Sequence, residues 1–500
     1  MQEKLEQLKS ILAEVADISS ATAVLGWDQQ TYMPPGGVSA RGNQIGTLSS
    51  LAHSKFVSPE VGGLLEDLKP YTESLDPDSD DNCLVEFTSR EYDKQTKVPS
   101  DYVAEFSRLT VVANGAWKEA RKNDNFSHFQ PHLEKIVEMR RQYADFFAPY
   151  EHVYDPLLDD FEPGMKTTEV KDIFSKLRPK QVELIKAVSE KPEVDDSFLH
   201  QSFDDQKQWD FGEQVITKYG YDWDRGRQDK AAHPFTTTFG VGDVRITTRV
   251  DPNFLNSALF STLHEGGHAI YEQGVSPDLG RTPLGSGASL AIHESQSRMY
   301  ENLLGRSYDF WVYFYPKLQE IFSTQLGNVD LDTFYKGINK VEPSLIRVEA
   351  DEATYNLHIM LRIELEIALM EGKLLVADLP AAWNERMEDY LGVVPPNDAD
   401  GVLQDVHWSI GYLGYFPTYA LGNLVSNQLW EKINLDIPGL SSQIRGGDFS
   451  ELLAWLNENV HKHGRKFKPQ DLVTRIVGSR IAPDPYLKYL NEKFGLIYQL

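Results

Sequence analysis

The chain has 500 residues, 41% of them hydrophobic and 11% aromatic, enough apolar surface for a large buried interior. Its 75 acidic residues outnumber its 49 basic ones, so the formal net charge is -26 at pH 7. That field repels phosphate backbones and anionic bilayers, which argues against a nucleic-acid partner, and no run of about 18 apolar residues offers a membrane span.

The N-terminal stretch MQEKLEQLKSILAEVADISS interleaves Glu and Lys with Leu5, Leu8, Leu12 and Val15. That period is an amphipathic helix, not a secretory leader. The single cysteine, Cys83, cannot form an internal disulfide, and both features point to a cytoplasmic protein. The first helix spans 3–24 and is broken near WDQQTYMPPGG (27–37) by Pro34, Pro35 and two glycines. Helical period returns at 40–55, 81–94, 99–123, 127–148, 167–189 and 204–218. Then the pattern changes. HPFTTTFGVGDVRITTRVD (233–251) is rich in Thr, Val and Phe around a Gly-Val-Gly, which predicts a β-hairpin. A hairpin alone is marginal, so it must pack on helices, and its exposed edge could hold an extended peptide. FLNSALFSTLHEGGHAIYEQG (254–274) is helical again. Further helices are expected from near Leu290, over 345–371 up to Gly372, and over 379–391. A loop at 395–401 leads into GVLQDVHWSIGYLGYFPTYALGN (401–423), and three or four helices fill the last 75 residues. No linker or internal repeat divides the chain, so one domain over 1–500 is expected.

The stretch LHEGGHAIYEQG (263–274) carries the chemistry. On a helix, His264 and His268 lie on one face and can aim both imidazoles at one cation. Glu265 is rotated about 100° from His264, so it cannot easily bind that ion but can reach a water on it. A bound Zn²⁺ lowers the pKa of its water to about 7, and Glu265 could take the proton as general base. Gly266 and Gly267 each cost about 1 kcal/mol in a helix relative to Ala, so something must approach that backbone closely. A tetrahedral site needs a third protein ligand. Glu272 shares the face but sits about 12 Å along the axis from His264. A third histidine six residues after His268 is ruled out because position 274 is Gly. HESQSR (293–298) offers Glu294, the preferred choice, with Asp278, His293 and Glu301 left open. Arg347 could clamp a substrate carboxylate, while Glu349, Asp351 and Glu352 read as a solvated or ion-paired face. His407 lies near Tyr412, Tyr415 and Tyr419, a cluster that is core by default but could stabilise an oxyanion.

HPF (233–235), DVRIT (243–247), HEGGH (264–268), HES (293–295), IRVEAD (346–351) and GVLQDVHW (401–408) together resemble the metallocarboxypeptidase Taq family of HExxH zinc peptidases, as does WDQQTYMPPGG. The resemblance covers essentially the full length. It implies a mainly α, saddle-shaped, neurolysin-like zincin fold with a small β-hairpin beside the active-site helix and a deep central groove. Residues 1–75 would cover the groove and 230–425 form the catalytic core. It implies a metal-dependent carboxypeptidase that releases single residues from peptide C-termini with broad specificity. The alternative is an endo-acting oligopeptidase with the same site. By the same resemblance His264, His268 and Glu294 bind one Zn²⁺, or Co²⁺, and Glu265 is the base. Arg347 engages the substrate carboxylate with Tyr419, His407 sits near the oxyanion, and His233 and Arg245 shape the closed end. Members are homodimers acting on peptides.

Overall fold

The computed structural model describes residues 1–500. The chain is mainly helical with one three-stranded sheet. Its contacts resolve two compact units. The first comprises Met1–Thr96, Asp196–Ile338 and Leu429–Val477, and the second Lys97–Asp195, Asn339–Gln428 and Gly478–Leu500.

In the first unit the N-terminal helix, Gln2–Thr31, runs seven residues beyond its expected end at 24. Leu5, Leu8 and Leu12 pack against Leu64, Leu65 and Leu68 of a helix over Pro59–Thr72 and against Cys83 and Leu84. Burial pushes the Cys83 thiol up to about 11, so it acts as a small hydrophobe rather than a nucleophile. The expected hairpin is present as β2 (Thr236–Gly240) and β3 (Asp243–Thr248), antiparallel, with Thr236 opposite Ile246. A third strand, β1 (Gly226–Lys230), lies parallel on the other side of β3. Val244 and Ile246 of β3 are fully buried. The sheet packs on the helix Leu255–Gly274, which carries the histidine pair. The extra length of the N-terminal helix places Trp27 under Arg245, whose guanidinium carbon lies 4.5 Å from the ring centroid. Just beyond the helix end, the Tyr32 hydroxyl donates to Asp229 of β1.

The second unit is built on the helix Tyr355–Glu371, which is buried around all but the strip of Glu364, Ala368 and Glu371 and takes Arg362 and Glu366 into the interior with its apolar side chains. It starts ten residues later than the sequence pattern suggests. Asp351 accepts hydrogen bonds from the backbone N–H groups of Ala353 and Thr354 and sets the entry turn, while Arg347–Glu349 form a short 3₁₀ turn. Its C-terminus is as expected, with Gly372 in the left-handed region at φ 73°. The acidic run after Arg347 has structural roles: Asp351 caps, and Glu352 pairs with Lys493 at 2.6 Å.

Candidate metal centre and active site

The helix Leu255–Gly274 presents His264 and His268 one turn apart. The helix Leu290–Arg298, capped by the Ser289 side chain, supplies Glu294. Its approach explains one of the two glycines. A Cβ on Gly267 would lie 2.7 Å from Ser297 Cα and 2.9 Å from the Gln296 carbonyl oxygen, so only glycine lets the two helices touch there. At Gly266 the close neighbour is instead the Ile216 side chain, at 2.8 Å.

Ligand atoms of His264, His268 and Glu294 lie within 4.8 Å of one another. The Nε2 atoms of His264 and His268 are 3.7 and 3.6 Å from Glu294 Oε2. Ligands at about 2.0–2.2 Å in a tetrahedron stand roughly 3.3–3.6 Å apart, so the three side chains fit one divalent cation with a fourth position open. Both imidazoles are held from behind, as metal-ligating histidines usually are. His264 Nδ1 is 2.9 Å from Glu301 Oε2, and His268 Nδ1 is 2.6 Å from His293 Nδ1. Glu301 sits on a π-helical turn, Met299–Leu304, that continues the Glu294 helix. Arg298 donates to Glu294 Oε1 at 2.7 Å and to Glu301 Oε2 at 3.3 Å.

The electrostatics match a cation site. Burial pushes His268 down to about 3, which keeps its ring neutral. Burial opposes a proton on His264 too, but Glu294 and Glu301 outweigh it and raise that ring. Burial would also lift Glu294, yet Arg298 and the histidines hold it far below the carboxylate range. Glu301, against the same burial, is held at about 2. Glu265 is buried beside the ligands and raised by desolvation. The Thr236 hydroxyl of β2 lies 2.6 Å from Glu265 Oε2 and 3.0 Å from its carbonyl oxygen, tying the sheet to the carboxylate.

Other sequence candidates divide between the units. In the first, Arg245 pairs with Asp243 at 2.7 and 2.8 Å, and His233 is exposed in the loop before β2. In the second, Arg347, His407 and Tyr419 come together around Asp405. Arg347 donates to Asp405 Oδ1 from Nε at 3.0 Å and Nη2 at 2.8 Å, and to the Tyr355 hydroxyl at 2.9 Å. Its guanidinium carbon is 5.2 Å from the Tyr419 ring centroid. His407 Nε2 is 3.4 Å from the Tyr419 hydroxyl, and burial pushes this ring down to about 4. Asp405 also takes the fully buried Arg362 at 2.6 Å. Burial would raise the Asp405 carboxyl, but the two guanidiniums hold it far below its usual range.

Asp405, Arg362, Thr236 and Arg298 were not singled out by sequence reasoning. An arginine in the middle of the apolar LHIMLRIELEIALM was the visible signal for Arg362, and the QDVHW motif contains Asp405. Of the open alternatives for the third ligand, His293 lies directly behind His268 and Glu301 behind His264. Glu272 stands behind His293.

Two histidines four apart on one helix, a carboxylate from a second helix and a glutamate beside the cluster define a metallopeptidase of the HExxH class. The profile of the Carboxypeptidase Taq (M32) metallopeptidase family matches residues 7–494, and the chain belongs to that family. It is 40% identical to thermostable carboxypeptidase 1 of Thermus thermophilus over 99% of this chain and 98% of that one. It is likewise 40% identical to carboxypeptidase 1 of Bacillus subtilis, with 98% of each covered. The solved structure of a carboxypeptidase of this family from Deinococcus radiodurans superposes with a TM-score of 0.97 at 41% identity, with 100% of both chains covered. The protein is a peptide hydrolase, a metallocarboxypeptidase, and no helix in it is long and apolar enough to cross a membrane.

Proposed function

We propose that this carboxypeptidase removes single residues from peptide C-termini at the centre formed by His264, His268 and Glu294, with Glu265 as general base. The observation that carries this reading is the convergence of those three ligand atoms next to a buried Glu265. Zinc suits two nitrogens and one carboxylate oxygen, and cobalt is accepted by the same donor set. A divalent cation held there supplies Lewis acidity to a water molecule and to the scissile carbonyl. Glu265 takes the proton of the attacking water on a carboxylate oxygen and hands it to the leaving amine. Thr236 keeps that carboxylate oriented. By the family resemblance Arg347 receives the substrate carboxylate with Tyr419, and His407, a neutral ring, stands near the oxyanion. Arg245, stacked on Trp27, and His233 shape the end of the substrate site. The family match runs through both units, which supports one functional domain over the whole chain. Broad side-chain tolerance follows from the family resemblance alone. A homodimer in the cytoplasm completes the reading, in keeping with the acidic surface and the lone buried thiol.

The test is a time course on a ten-residue peptide, read by mass, with and without a chelator. A ladder of single C-terminal losses, abolished by the chelator, is expected, and internal fragments would favour the endo-acting alternative. Glu265→Gln should lower turnover by roughly 10²–10⁴-fold while metal content stays unchanged. An active variant would remove Glu265 from the mechanism.

A further inference from the structure

His293 is adjacent in sequence to Glu294, yet its ring turns away from the ligand cluster. It lies between the ligand His268 and a buried carboxylate. His268 Nδ1 is 2.6 Å from His293 Nδ1, and His293 Nε2 is 2.8 Å from Glu272 Oε1. Glu272 is 3% exposed, and the same oxygen accepts from Ser286 Oγ at 2.8 Å and from the Gly287 N–H at 3.0 Å. Gly287 makes room for the arrangement. A Cβ there would meet His293 Cδ2 and Tyr271 Cε1, each at 2.7 Å.

These contacts define the protons. A carboxylate oxygen taking two other donors has no hydrogen to give, so His293 carries its proton on Nε2. With its one proton on Nε2, the ring offers a lone pair at Nδ1. The nitrogen facing it at 2.6 Å must donate, which puts a proton on Nδ1 of His268. His268 is left with a bare Nε2, the atom 3.6 Å from Glu294 Oε2. His264 reaches the same state by a shorter route, through Glu301.

We propose that His293 is a positioning residue that relays the Glu272 carboxylate to His268, fixing the ring and the tautomer in which Nε2 faces the metal. This rests on the metal reading given above. The relay orients one imidazole and raises its basicity toward a cation. It also gives Glu272 and His293 a role beside the site without making either a ligand, as Glu301 has behind His264.

The experiment has two arms on the full-length protein. The first measures zinc affinity by chelator competition for the parent and for His293→Phe, together with the thermal midpoint of each metal-free protein. A loss of roughly 10–100-fold in affinity is expected. A filler role for the ring would lower the midpoint and leave the affinity alone. The second arm needs no substitution. Metal-free protein labelled with ¹⁵N-histidine is read by two-bond ¹H–¹⁵N correlation, and His268 should carry its proton on Nδ1. Zinc affinity in the variant within twofold of the parent, or a proton on Nε2 of His268, would overturn the relay. A parent that holds no zinc at all would instead sink the metal reading, and the relay with it.

Discussion

Gly267→Ala should damage the metal site by pushing one helix off another. The added Cβ would start 2.7 Å from Ser297 Cα and 2.9 Å from the Gln296 carbonyl oxygen, both backbone atoms. Carbon atoms in contact sit about 3.5–4.0 Å apart, so the helices must separate by roughly 0.8 Å. Glu294 lies on the displaced helix, two residues before Gln296. Moving it by that amount stretches its present 3.6 and 3.7 Å spacings to the histidine nitrogens well past what a tetrahedral ion spans. Overpacking costs about 1–3 kcal/mol, and alanine's better helix propensity returns about 1, so the metal-free protein should fold with a modestly lowered midpoint. Zinc affinity should fall by roughly 100-fold, because sites tolerate only about 0.5 Å of misplacement. Gly266→Ala is the internal control. Its Cβ meets the Ile216 side chain at 2.8 Å, on a different helix from Glu294, so it should cost stability and spare affinity. Chelator competition and thermal unfolding on the two variants give both quantities. A folded Gly267→Ala protein with parental zinc affinity would refute the close-approach argument.

Thr236→Val keeps the shape and the strand preference of β2 but deletes the hydroxyl on Glu265, so kcat should fall roughly 10–100-fold with KM and metal content unchanged, and Thr236→Ser should restore it. Equal turnover in the valine and parent proteins would deny Thr236 a role in orienting the base. Arg347→Ala should slow cleavage of peptides with a free C-terminus by at least about 10-fold more than that of amidated peptides, as loss of a charge-assisted contact requires. An equal loss on both would argue that Arg347 serves only its ion pair with Asp405. Glu366 offers a stability test away from the metal. Burial raises its carboxyl from 4.5 to about 7, although Tyr154, Trp408 and Gly414 all donate to it and Arg140 lies near. A carboxyl raised by folding stabilises fully below its unfolded pKa, and the contribution is lost as pH climbs through about 4.5 to 7, by roughly 3 kcal/mol in all. Glu366→Gln should be less stable at acid pH, where the Gly414 N–H loses an acceptor, and should lack that slope, so urea midpoints of the two proteins converge toward neutrality. Parallel curves would contradict the raised value.

What the sequence made legible is what is local. The ends expected at 218, Gly372 and 391 fall within a residue of those observed, at Tyr219, Glu371 and Leu391, because Gly220, Gly372 and Gly392 take positive φ, which few other residues adopt without strain. The hairpin announced itself through its enrichment in Thr, Val and Phe around a glycine turn. Strand β1 did not, because GRQDK has no apolar alternation and its parallel pairing with β3 is decided 18 residues away. The helix Pro59–Thr72, absent from the expected elements, is marked in the sequence by Ser58 at its cap and Pro59 at its first position. The start of the helix at Tyr355 was hidden because the Asp351 cap reads as one more acid in an acidic run. The site divides in the same way. His264 and His268 are four apart on one helix, so helical geometry alone aims them together. Glu294 reaches them only through a contact between helices, and there the sequence is ambiguous for a chemical reason. Ligands of a cation and the groups that orient those ligands are drawn from the same imidazoles and carboxylates, since both tasks need a lone pair or a negative charge near the same ion. Glu294, His293, Glu301 and Glu272 therefore look alike in sequence. The few ångströms of side-chain placement that separate direct ligation from support are set by where the second helix can lie. Gly267, which permits that close approach, is thus as informative about the site as the charged residues around it.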